Sequence, residues 1–171
     1  MSRLTPLALL ALLAFGTPLR AQDRPLPPPP AALKDFEWMV GSWKHDAEGV
    51  QLEIDCSKAT GGYFLKRTFR LKLGSEQELI LQQVIGWDPA RQQVRSWAFG
   101  SDGSFEEGVW TKEGETWENE RVITYADGTK GSAVNYTAPM DKDSFHFKSL
   151  ERRYGDRILP DIIGIEVDRV K

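Results

Sequence analysis

The chain has 171 residues and a formal charge of −3, with 40% hydrophobic residues, 27% charged residues and a single cysteine. The length suits one domain with a sizeable core. A mildly acidic balance without a long lysine or arginine run argues against nucleic acid or an anionic membrane as the main partner, and one cysteine excludes an intramolecular disulfide.

The first segment, "MSRLTPLALLALLAFGTPLRAQDR", places Arg3 ahead of an apolar run from Leu7 to Phe15 and then a polar exit. This is the layout of a secretory signal peptide, with cleavage expected after Ala21 and a secreted or periplasmic product. The run is shorter than the roughly 20 residues a membrane helix needs, so no transmembrane segment is expected once residues 1–21 are gone. Their removal takes away Arg3 and Arg20 but no carboxylate, leaving 150 residues and a formal charge of −5. Residues 22–32 read as a linker, because "RPLPPPPAALK" holds five of the ten prolines and favours an extended polyproline tether. The domain proper is expected over residues 33–171.

Period-two alternation then dominates. In "VQLEIDC", Val50, Leu52, Ile54 and Cys56 share one face, which gives Cys56 a packing role. "YFLKRTFRLKL" puts Tyr63, Leu65, Arg67, Phe69 and Leu71 on one face and the lysines on the other. The runs "ELILQQVIGWD", "RQQVRSWAF", "SFEEGVW", "TWENERVIT", "TKGSAVNYT", "SFHFKSLER" and "IIGIEVDRV" follow, separated by turn sequences such as "DPAR", "SDGS", "ADGT" and "YGDR". With residues 41–47 as the first, about ten strands are predicted. Chain order by hairpins favours an all-β, antiparallel up-and-down barrel over a sandwich, and closure removes the exposed edges.

Ahead of those strands, "AALKDFEWMVGSWK" reads as a short helical turn from Ala31 to Trp38 running into Gly41-Ser42-Trp43. This arrangement resembles the calycin superfamily of lipocalin, fatty-acid-binding and nitrobindin-like barrels, and most narrowly the uncharacterised exported bacterial lipocalin-like proteins. The resemblance implies a short N-terminal helical plug at one barrel end, Trp43 packed inside it, Gly41 at a close approach, and Arg169 of the last strand covering the indole. It also implies that a small apolar or amphipathic ligand sits in the interior.

The residues themselves leave several roles open. Arg67, sharing a face with Leu65 and Phe69, either anchors a ligand carboxylate or pairs internally with Glu107 or Glu151, since a buried charge needs a partner. Tyr63, Phe69, Trp97, Trp117 and Phe147 are the expected wall residues. Trp97, Phe99 and Trp110 form an expected aromatic cluster.

No cofactor or metal site is expected: His45, His146 and Cys56 give no zinc-like cluster. Haem, which nitrobindin-like barrels hold through one histidine, needs one of the two histidines inside. His146 alternates against Phe145 and Phe147, and His45 lies at a strand end. Glu106 and Glu107 are adjacent on a strand and face opposite sides, so they make no acid/base pair. The expected function is thus an exported small-molecule-binding barrel. The alternatives are an interaction module with a filled core, and a haem-binding or isomerase-type barrel enzyme. Ligand identity and oligomeric state stay open.

Overall fold

The computed structural model describes residues 30–47, 49–75 and 77–171, so the leader and most of the linker lie outside the described residues. The first element is a 3₁₀ helix, Ala31–Met39, whose buried residues are Leu33, Phe36 and Met39. Three residues per turn stacks positions i, i+3 and i+6 above one another, so this spacing gives the helix a single apolar edge. That edge is inserted into one end of a barrel.

The barrel strands are β1 (Gly41–Ala47), β2 (Val50–Ala59), β3 (Phe64–Leu73), β4 (Leu79–Asp88), β5 (Gln93–Gly100), β6 (Phe105–Glu113), β7 (Thr116–Thr124), β8 (Lys130–Pro139), β9 (Ser144–Tyr154) and β11 (Ile162–Arg169). A two-residue strand, β10 (Arg157–Ile158), pairs only with the end of β9. Consecutive strands from β1 to β9 are antiparallel neighbours; β11 pairs with both β9 and β1 and closes the ring. Ten strands therefore form a closed antiparallel barrel with the helical piece at its N-terminal end. Closure rules out the sandwich and leaves the ten barrel strands no free edge. Among the described residues no helix is long and apolar enough to cross a membrane.

Alternation sets the two faces. Ile54, Cys56, Leu65, Ile85 and Ala98 point inward and are buried, while their polar neighbours face out. The interior has two apolar clusters. One joins the 3₁₀ helix to Cys56, Leu65, Ile85, Val94, Trp110 and Trp117 and closes the barrel end. The other joins Trp43, Ile54, Phe145 and Val167. Phe36 is fully buried between Trp117, at a 4.1 Å ring separation, and Trp110, at 5.5 Å.

Two strands break the expected alternation, β11 between Ile162 and Ile165 and, with more consequence for the interior, β9. Between the Val134–Leu150 and Ser132–Arg153 pairs, β9 carries one residue more than β8. This bulge places Glu151 at φ +53°, exposed, and re-aims the residues after it. Glu151 thus does not continue the inward face of Phe145, Phe147 and Ser149.

Candidate functional site

Above the plug the barrel encloses a cavity of about 590 Å³. Its two walls differ. On β2 to β4 it is lined by Val50, Leu52, Phe69, Leu71, Leu79 and Leu81. On β7 to β9, which lie across the ring, the polar Asn119, Arg121, Asn135, Thr137 and Ser149 line it together with Ile123, Ala133, Phe145 and Phe147. The mouth lies at the end away from the helix, where Leu73, Asp102, Tyr125, Arg152 and Arg153 come together.

Arg67 enters from the apolar wall, low in the cavity, one alternation step above Leu65 of the plug cluster. It is 6% exposed. Its Nη1 donates to Gln83 Oε1 at 3.4 Å, its guanidinium carbon lies 4.6 Å from the Phe69 ring centroid, and its Nε has no hydrogen-bond partner. Neither carboxylate expected as its partner reaches it. Glu107 faces outward, where Arg95 holds it at 3.5 Å, and Glu151 is turned out by the bulge. Among the described residues Arg67 makes no ion pair, although burial charges are ordinarily paired. Burial pulls its pKa down to about 10, which still leaves it protonated at neutral pH. Cys56, its register partner on β2, is buried beside it; desolvation raises the thiol's pKa against the opposing pull of the Arg67 charge.

The other inward arginine has its charge paired, although its Nε too is buried without a hydrogen-bond partner. Arg121 donates to Glu106 at 2.7 Å, and the two side chains are only 17% and 11% exposed. Asn119, 1% exposed, donates from Nδ2 towards Ser96 Oγ at 3.5 Å and the Val109 carbonyl at 3.4 Å. Gly108 makes room for it: a Cβ there would lie 2.5 Å from Asn119 Nδ2.

Of the expected wall residues, the structure brings Arg67, Phe69 and Phe147 together around the cavity. Three stand elsewhere. Tyr63 precedes β3, in the turn after a short 3₁₀ piece (Thr60–Gly62), so strand alternation does not govern it. Trp97 shares the outer face with Arg95 and Phe99, because Val94, Ser96 and Ala98 are the buried residues of β5. The expected cluster of Trp97, Phe99 and Trp110 is therefore split across the barrel wall. Trp117 is inside, but its ring packs on Phe36 in the plug below the cavity. None of Asn119, Asn135, Ser149 and Gln83 is among the expected site residues, although alternation puts Asn119 on a face with Trp117 and Ser149 on a face with Phe147.

Neither histidine lines the cavity. His45 Nδ1 is engaged with the Glu166 carbonyl oxygen at 2.6 Å, and His146 is exposed on the outer wall near Tyr136 and Lys148. The residues facing the cavity thus do not fit a histidine-ligated haem. Among the described residues no cluster of three histidine, cysteine, aspartate or glutamate side chains could hold a metal ion.

No family model matches the chain, and no curated protein matches it. Among solved structures, the chain is similar to Rv2717c from M. tuberculosis, with a TM-score of 0.59 and 15% sequence identity; the match covers 84% of this chain and 99% of that one. At that identity the likeness shows the fold alone.

Proposed function

We propose that this protein binds a small amphipathic acid inside its barrel, with the ligand carboxylate on Arg67 and its apolar body along Phe69, Leu71 and Leu81. One observation carries the reading: a charged arginine is buried in the cavity and, among the described residues, has no carboxylate to pair with. Keeping such a charge inside costs several kcal/mol unless a counter-charge arrives, and a bound carboxylate supplies both the charge and acceptors for the fork. A volume of about 590 Å³ falls within the range of small-molecule pockets. The calycin-like kinship belongs to this proposal. It rests on Gly41, Trp43 and Arg169, which meet at the plugged end. Export also belongs here, resting on the leader-like residues 1–21.

The test is titration of the processed protein with stearate, followed by calorimetry or native mass spectrometry. The expected result is binding that falls at least about tenfold in Arg67→Met and is partly recovered in Arg67→Lys. Equal affinity in the parent and Arg67→Met rejects the reading, as does failure of the parent to bind either stearate or 9,10-dihydroxystearate.

A second reading, an interaction module, has an observation of its own on the outer wall. Phe99 and Phe105 are cross-strand partners, 60% and 45% exposed, and Val122 on the next strand is 59% exposed. Alanine at these three positions leaves ligand binding unchanged under the first reading and abolishes partner capture under the second.

A further inference from the structure

Asn119, Asn135 and Ser149 are consecutive register partners across β7, β8 and β9. They form one rung on the cavity wall, facing β2 to β4 across the ring. Asn119 and Ser149 are 1% and 2% exposed. Asn119 Oδ1, Asn135 Oδ1 and Ser149 Oγ are buried without a hydrogen-bond partner, and so is the indole Nε1 of Trp110, the register partner of Asn119 on β6. Buried polar groups are almost always partnered, so four such atoms on one rung mark a surface made for something else.

The chemistry of these atoms restricts what that is. The two amide oxygens accept hydrogen bonds, the indole only donates, and the serine hydroxyl does both. An ionised fatty acid brings acceptors to Arg67 but has no donor to offer the rung. A hydroxyl donates and accepts, and so fits the rung whichever way each amide is turned. The wall opposite carries Arg67 and Gln83, bonded to each other, and is otherwise lined by apolar side chains.

Resting on the carboxylate reading of Arg67, we infer that the ligand is a hydroxylated amphipathic acid. Its carboxylate sits on Arg67, its hydroxyls lie along one side against Asn119, Asn135 and Ser149, and its other side lies against the β2–β4 wall. The cavity is divided along its length, so the ligand is amphipathic across its width as well as end to end.

A matched pair of probes tests this: 9,10-dihydroxystearate and stearate, which share chain length and carboxylate and differ in two hydroxyls. The parent is expected to hold dihydroxystearate at least about tenfold more tightly, because a site built to bond hydroxyls discriminates against the analogue lacking them. Asn135→Leu and Ser149→Ala should each shrink that preference while stearate affinity holds or rises. Thermal unfolding checks that both variants fold, and Ser149→Ala, which only removes an oxygen, suffices if Asn135→Leu does not. Stearate binding as tightly as dihydroxystearate overturns the inference, yet leaves the carboxylate reading standing if Arg67→Met still weakens stearate. A hydroxyl preference that survives both rung variants also overturns it. Failure of both acids to bind the parent overturns this inference together with the reading beneath it.

Discussion

The guanidinium carbon of Arg169 lies 3.9 Å from the centroid of the Trp43 indole. The same guanidinium donates to the carbonyls of Val40 at 2.8 Å and Trp38 at 3.0 Å, and the Trp43 indole donates to the Met39 carbonyl at 2.8 Å. The first and last barrel strands thus hold the carbonyl end of the plug helix between them. Gly41 is required beside them: its φ of +129° disfavours any side chain, and a Cβ there would overlap Arg169 Nη1. Trp43→Ala is expected to destabilise the protein by about 3–5 kcal/mol, the range for truncating a large buried aromatic. Arg169→Met keeps an apolar stem but loses the cation–π contact and the carbonyl bonds, at about 1–3 kcal/mol. Urea unfolding measures both, and a Trp43→Ala midpoint equal to the parent's would remove Trp43 from the account of the closed end.

Arg67→Met should make the empty protein more stable. Burial lowers the arginine pKa from its ordinary value to about 10, which corresponds to about 3 kcal/mol of penalty on the charged form in the fold. Lost contacts with Phe69 and Gln83 offset part of this, so the net gain is about 1–3 kcal/mol. The sign with pH follows. Below about pH 10 folded and unfolded chains both carry the proton, so the penalty is constant. Above it the folded chain releases the proton that the unfolded chain still holds, and parent stability rises relative to the variant. Denaturation of both proteins should show a gap that is flat from about pH 6 to about pH 9 and narrows above about pH 10. A destabilised Arg67→Met at neutral pH would mean that the arginine supports the fold rather than waiting for a ligand.

Glu106 and Arg121 make the opposite case, an inward arginine already neutralised within the chain. Glu106→Gln leaves the Arg121 charge half-compensated near the mouth and should cost about 3 kcal/mol, at the low end for a broken buried pair because both groups keep some solvent. Adding Arg121→Met to that variant should recover most of the loss. A double-mutant cycle gives the coupling directly, and additive losses would show that the pair does not act as a unit.

Much of the architecture is legible in the sequence because period two survives nearly unbroken. The run from Leu65 to Leu71 reports its own inward face, and the hairpin turns report strand order. The plug is legible through the family resemblance alone, whose Gly-x-Trp and late arginine fall on Gly41, Trp43 and Arg169. The failures are local. Tyr63 falls just before its strand, where alternation has not begun, and Glu151 falls on a bulge that inserts one residue. Trp97 misleads for a different reason. Both faces of β5 alternate cleanly, and the aromatic face is the outer one, because the inner face carries the small residues Ser96 and Ala98 where Asn119 and the rest of the interior need room. The rung of Asn119, Asn135 and Ser149 depends on two registers across three strands, which no single strand's pattern reveals.

The two sides of the wall make a further prediction about binding. Phe69 lies against the Arg67 guanidinium inside the cavity, whereas the Trp97 ring lies outside, 5.9 Å from the Arg95 guanidinium. Phe69→Ala removes apolar contact from the ligand body and the ring that orients the arginine, and should weaken stearate binding by about tenfold or more, given about 1.5–3 kcal/mol for one large apolar side chain. Trp97→Ala removes a larger aromatic surface from the same protein yet touches no cavity atom, so its stearate affinity should stay within about twofold of the parent's. Calorimetric titration of the two variants decides the matter, with intrinsic fluorescence as a check that each is folded. If Trp97→Ala weakens binding while Phe69→Ala does not, the ligand lies on the outer face of β5 and the cavity is not the site.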